Sequence, residues 1–156
     1  MEIVIQDLQK KIVLNPPQIL KIIKAILRHE GVDQALLSIV FVSQQSIKNF
    51  NKKYLNRAYE TDVLAFDLAD QGPQKRKSRQ NRRNIVGDII ISTDAALNNA
   101  KSYQTTLSEE LTLYIVHGIL HLLGFDDHKP EDRKKMRKRE GELLTYVQAK
   151  IKGIVK

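Results

Sequence analysis

Apolar and polar positions alternate along the chain in a way that predicts strands and helices in turn. Apolar runs at Met1 to Gln6, Ala35 to Val42, Val63 to Leu68 and Ile85 to Ser92 predict four short strands. Apolar residues at helical spacing predict five helices between and after these strands. The helices are expected to begin at Pro16, after Ser43, at Thr93 or Asp94, at Ser108 or Glu109, and at Pro130, and to end near Gly31, Leu55, Ala100, Gly124 and Lys152.

Strands interrupted by helices, with two helices last, predict an α+β fold with a four-stranded, mostly mixed sheet and helices packed against it. The 156 residues are expected to form a single domain, residues 1–156, because a chain of this length can bury a sizeable core. No apolar run approaches the roughly 18 residues of a membrane span. The first residues resemble a strand rather than a secretion signal, so we expect a cytoplasmic protein.

The composition narrows the chemistry available to the protein. The chain has no cysteine, which agrees with a reducing compartment and leaves imidazole and carboxylate as the possible metal ligands. Its formal net charge is +8, and basic residues concentrate at Lys75 to Arg83 and at Arg133 to Arg139. Either cluster alone could be a solvated surface. Two clusters on either side of a candidate hydrolytic site favour a polyanionic substrate.

Three of the four histidines lie within one short segment, IVHGILHLLGFDDH. His117 and His121 are four residues apart, so they project from the same face of a helix. Gly124 can end that helix, and the returning chain can then present His128. A hydrogen-bonded core pair is the alternative for two histidines, but three together predict a catalytic zinc site with one position left for water.

The same segment resembles the signature of the YbeY family of bacterial endoribonucleases, which are rRNA maturation factors. TDVLAF at residues 61–66 and GDIIIS at residues 87–92 are similar to two further blocks of the family, in the same order. The resemblance implies the same α+β fold and a zinc-dependent endoribonuclease that acts on single-stranded RNA. It also implies a role in maturing the 3′ end of 16S rRNA, ribosome quality control, and contact with the ribosome or ribosomal proteins.

Two features depart from the family pattern. The third histidine follows the second by six positions in the family but by seven here, because the chain has both Asp126 and Asp127. The family arginine that follows an L-N-x-x-Y segment is absent, since Glu60 comes directly after LNRAY at residues 55–59. Arg57 is the candidate substitute for that arginine.

These residues suggest how the chemistry would be divided. A zinc ion held by His117, His121 and His128 would lower the pKa of its water to about 7. The resulting hydroxide could attack the phosphodiester or remove the 2′-hydroxyl proton. Arg57 could neutralise charge on the phosphorane, and Asp127 or Asp126 could orient a ligand imidazole. A polar turn is an equally good explanation for the two aspartates.

Gly118 occupies the position where HExxH zinc proteases carry a glutamate, so a peptidase mechanism loses its main support. We expect this glycine to leave room beside the metal for a phosphodiester. Two functions from different classes therefore remain open. One is a metal-dependent endoribonuclease, and the other is a non-catalytic ribosome- or RNA-binding factor whose metal is structural.

Overall fold

The computed structural model describes residues 1–55, 62–68 and 84–156. Within these residues a four-stranded sheet is formed by β1 (Glu2–Asp7), β2 (Gln34–Val42), β3 (Val63–Asp67) and β4 (Asn84–Ser92). The strand order is β1-β2-β4-β3, with β1, β2 and β4 parallel and β3 antiparallel to β4. The sheet is therefore mixed, and the predicted α+β class is confirmed.

Five α-helices accompany the sheet within the described residues. They are α1 (Pro16–His29), α2 (Gln44–Leu55), α3 (Thr93–Tyr103), α4 (Leu107–Leu122) and α5 (Pro130–Ile151). None of the helices in this part of the chain is long and apolar enough to cross a membrane. The predicted starts of α1, α2, α3 and α5 agree with the structure to within one residue. Helix α4 starts slightly earlier than predicted, because Thr106 caps it and shares a capping box with Glu109.

The main core lies between one face of the sheet and helices α1, α4 and α5. Ile39 and Ile89 project from the sheet into this core, where they meet Ile26, Ile115 and Ile119 of the helices. A smaller cluster on the opposite face covers Ile90 with α2. The two faces differ because successive strand residues point to opposite sides.

Helix α4 packs against strand β4, and a glycine stands at two of their contacts. A Cβ atom built on Gly118 would approach the Ile89 side chain to 2.7 Å, and one on Gly87 would approach Leu122 to the same distance. The expectation that Gly118 leaves room beside a metal is therefore wrong. It lies about 100° around the helix from His117 and faces the sheet.

Helix α5 covers α4 from the outside with a single apolar stripe. Met136, Leu143, Val147 and Ile151 are its buried residues, and they recur at helical spacing. Glu140 falls on the same stripe, four residues after Met136 and three before Leu143. This position turns its carboxylate towards α4 rather than towards solvent.

Candidate metal centre

His117 and His121 lie in the last two turns of α4 and face the same side, as their spacing predicts. Their Nε2 atoms are 3.1 Å apart. Both side chains are partly accessible, with exposed fractions of 29% and 28%, so a solute can reach them. The helix thus presents two ligand atoms to one point beside its carboxyl end.

Asp127 adds a third ligand atom at that point. Its Oδ2 atom is 3.5 Å from the Nε2 atom of His117 and 3.5 Å from that of His121. Tetrahedral zinc with ligand bonds near 2.0–2.1 Å places neighbouring ligand atoms about 3.3 Å apart. The triangle of 3.1, 3.5 and 3.5 Å therefore has the size of one face of such a tetrahedron.

The other nitrogen of each imidazole has a partner that fixes the tautomer. The Nδ1 atom of His117 is 2.7 Å from the Oε2 atom of Glu140, so it donates its proton to that carboxylate. The ring of His121 is hydrogen-bonded to the backbone of Phe125. Each Nε2 atom then carries a lone pair, and two lone pairs facing an aspartate oxygen require a cation or a shared proton between them.

The protonation state of His121 indicates whether a cation or a shared proton is favoured between these atoms. Burial, and secondarily the neighbouring His117, lower the pKa of His121 below its usual value, although Asp127 and Asp126 oppose the shift. Neutral imidazole is the form that binds a metal. The arrangement therefore favours a metal cation over a proton at neutral pH.

A tight turn brings Asp127 back to the helix. Gly124 has φ +102°, and the backbone bonds Phe125 N–H to Leu120 C=O and Gly124 N–H to His121 C=O close the helix as in a Schellman motif. Asp126 Oδ1 then accepts the N–H of Asp127 at 2.7 Å. The predicted role of Gly124 as the helix stop is confirmed.

His128 lies outside this triangle of ligand atoms. His128 is 77% exposed, and its Nε2 atom is 3.5 Å from Asp126 Oδ1. It stands in a second group of possible ligands, with Asp126 and Asp127. Its role as third ligand remains a prediction. Arg57 and the basic run at residues 75–83 lie outside the described residues.

A cleft of about 310 Å³ opens beside His117. Asn99 of α3 donates hydrogen bonds to the Tyr114 hydroxyl and to Asp62 Oδ2, and both of these acceptors belong to residues that line the cleft. Burial raises the pKa of the Tyr114 hydroxyl well above its usual range, and the charge of Asp62 raises that pKa further. The hydroxyl therefore stays protonated. The cleft is lined by Asp62, Val63, Leu113, Tyr114, His117 and Glu140.

Glu140 is the site residue that sequence reasoning missed. In the sequence it is one of several acidic residues interleaved with the cations of α5. The signal was its position on the apolar stripe of that helix, where an ionisable residue needs a partner because burying an unpaired charge is costly. Its partner is the metal-ligand candidate His117.

Together, the mixed sheet and the histidine and carboxylate cluster define an α+β protein with a candidate divalent-cation site at the end of a helix. The family model described as Endoribonuclease YbeY matches residues 4–148. Proteins named Endoribonuclease YbeY are similar along most of the chain. The one from Syntrophus aciditrophicus is 33% identical over 92% of this chain and 88% of its own, and the one from Alkaliphilus metalliredigens is 34% identical over 92% and 93%.

The solution structure of a Thermotoga maritima protein has a similar fold, with a TM-score of 0.59 and 22% identity over 94% of this chain and 92% of that one. The chain belongs to the YbeY family of endoribonucleases, and the family resemblance predicted from its motifs is confirmed. It is accordingly an enzyme, a hydrolase that cleaves RNA.

Proposed function

We propose that this enzyme is a metal-dependent, single-strand-specific endoribonuclease that matures the 3′ end of 16S rRNA. We further propose that it acts in ribosome quality control, in the cytoplasm and in contact with the ribosome. The observation that carries metal dependence is the convergence of the Nε2 atoms of His117 and His121 with an Asp127 oxygen. The ribosomal substrate rests on the motif resemblance.

Different residues of the chain would bind the metal and orient its ligands. His117 and His121 would bind the cation, and Glu140 holds the His117 ring in the tautomer that exposes Nε2. The third ligand would come from the turn after Gly124, either His128, as the sequence predicts, or Asp127. When bound, a divalent cation supplies Lewis-acid polarisation of the phosphodiester and of water. Zinc suits imidazole ligands, and we propose one zinc ion per chain.

The charge of the cleft gives an independent reason for metal dependence. Asp62 and Glu140 line the cleft beside His117, and Asp127 lies next to the Nε2 atoms of His117 and His121. Carboxylates repel the phosphates of RNA, so this cleft would exclude the substrate unless a cation neutralised it. We therefore expect the metal to be needed for RNA to enter the cleft as well as for its cleavage.

The alternative is a non-catalytic RNA-binding factor with a structural metal. A structural zinc site is usually closed by four protein ligands. The cleft beside His117 leaves this site open on one side, and the relatives of the chain are named endoribonucleases. Both observations favour the catalytic function.

Cleavage of a 5′-labelled single-stranded RNA by the purified protein tests the proposal. Metal removal by chelation, checked by elemental analysis, should abolish cleavage, and added Zn²⁺ should restore it. The same RNA annealed to its complement should be cut much more slowly. Undiminished cleavage by protein that contains no metal would refute metal dependence, and equal cleavage of the duplex would refute strand specificity.

A further inference from the structure

The third ligand of the metal can be inferred from the turn that follows α4. The family pattern has its third histidine six positions after the second, and Asp127 occupies that position here. Asp127 Oδ2 faces both Nε2 atoms at 3.5 Å. The exposed fraction of its side chain is 37%, against 77% for His128. The sequence position and the geometry thus agree.

We propose that the metal of this enzyme is held by two imidazoles and one carboxylate, with Asp127 in place of the third histidine and His128 outside the ligand set. This assignment rests on the proposed metal dependence. The proposed ligand set differs from a set of three histidines, although both sets leave coordination positions open for water and substrate.

The hydrogen bonds of the turn favour Asp127 over His128 as the third ligand. Asp126 Oδ1 accepts the N–H groups of both Asp127 and His128, at 2.7 and 3.3 Å. Arg133, in the first turns of α5, donates from Nη1 to the carbonyl of His128 at 2.8 Å. These three bonds hold the main chain of the turn in place. Bringing the His128 ring to the histidines would require turning the segment and breaking these bonds.

The ligand set has a chemical consequence. A carboxylate brings one negative charge to the cation and is a harder donor than an imidazole. Hard cations such as Mn²⁺ prefer oxygen ligands, whereas imidazole suits copper, nickel and zinc. We therefore expect the site to accept Mn²⁺ more readily than a three-imidazole site on the same scaffold would. A two-histidine, one-carboxylate set is also among the known catalytic zinc sites.

Metal affinity, measured by competition with a chromophoric chelator, tests the assignment without relying on activity. The variants are Asp127→Ala, Asp127→Asn and His128→Ala, each checked for folding by circular dichroism. Asp127→Ala should lower Zn²⁺ affinity by at least about 100-fold, the upper end of what loss of a supporting residue costs. His128→Ala should stay within about threefold of the parent, a margin narrower than the tenfold lower end of that range.

A double variant tests whether a ligand at position 127 is sufficient for metal binding when the imidazole of His128 is absent. Asp127→His combined with His128→Ala should restore binding, and the absorption spectrum of its Co²⁺ form should differ from that of the parent as a nitrogen replaces an oxygen. Loss of metal in His128→Ala, or retention in both Asp127 variants, would overturn the assignment while leaving the proposed function intact. Failure of the parent to bind any divalent metal would overturn both.

Discussion

Helices α4 and α5 pack against each other but contribute to the site in different ways. Ten of the sixteen residues of α4 are buried, against four of the twenty-two of α5. The inner helix is fixed by the sheet on one side and α5 on the other, so His117 and His121 have little freedom. The outer helix supplies one partly buried carboxylate, that of Glu140, and many exposed cations. Helix α4 thus supplies two candidate ligands, whereas α5 supplies a residue that orients one of them and a positively charged surface, and mutations can test these contributions separately.

The largest effect is expected for a ligand on the inner helix. His121→Ala should lower Zn²⁺ affinity by at least about 100-fold and abolish RNA cleavage, because the cation loses a direct ligand. His29→Ala is the matched control, since His29 lies at the end of α1, where its ring contacts that of Tyr146. Chelator competition measures the affinity. Equal losses in both variants would mean that the change reflects folding rather than ligation.

A smaller loss is expected from the outer helix. Glu140→Ala should weaken Zn²⁺ binding about 10–100-fold, because the His117 ring loses the acceptor that fixes its tautomer. Glu140→Gln should fall between this variant and the parent, since an amide oxygen can still accept the Nδ1 proton. The control is Glu142→Ala, whose carboxylate pairs with Arg139 at the surface. Unchanged affinity in Glu140→Ala would show that α5 plays no part in ligand orientation.

The two helices also contain a matched pair of glycines. In Gly118→Ala the new methyl group meets the buried Ile89 side chain, which costs about 1–3 kcal/mol, and alanine regains about 1 kcal/mol as the better helix former. The net change should be a destabilisation of about 0–2 kcal/mol. Gly141→Ala should stabilise it by about 0.5–1 kcal/mol, because nothing lies within 4 Å of the added atom. Urea unfolding measures both. Stabilisation by both changes would contradict the close packing of α4 on β4.

The exposed cations of α5 should produce the smallest effect. Arg137 lies three residues before Glu140, hence on the side of the helix that borders the cleft. Lys135 is about 140° further around the helix from Glu140. The measurement is the binding constant K for single-stranded RNA at several salt concentrations. If Arg137 contacts a phosphate, Arg137→Ala should reduce the steepness of log K against log salt by about 0.7, while Lys135→Ala should leave it unchanged. Equal slopes for both variants would make the charge of α5 a general attraction without a defined RNA path.

The sequence predicted those features that depend on neighbouring residues. Gly31 and Gly124 were expected to end helices, and both adopt positive φ values, +74° and +102°. Ser43 was expected to cap α2, and its hydroxyl accepts the N–H of Ser46. Thr106 shows the limit of this reasoning. It forms the capping box of α4, whereas Ser108, two residues later, had been favoured as the start.

Features that depend on distant residues could not be predicted from one sequence. The β1-β2-β4-β3 order results from pairing between strands about fifty residues apart, and no local pattern encodes it. The same limit explains the error at Gly118, whose contact with Ile89 joins a helix to a strand. Glu140 was missed because its partner His117 is twenty-three residues away. The turn that presents Asp127 is also bonded to Arg133, which belongs to the next helix.

The location of the site at the carboxyl end of α4 has a further electrostatic consequence. The peptide dipoles of a helix sum to a partial negative charge at its C-terminus, which stabilises a nearby cation by about 0.3–1 kcal/mol. His121 lies in the last turn of α4, directly at that end. The backbone therefore adds an attraction for positive charge that no side-chain substitution removes. Any variant that keeps the helix should retain a residual preference for cations at this point.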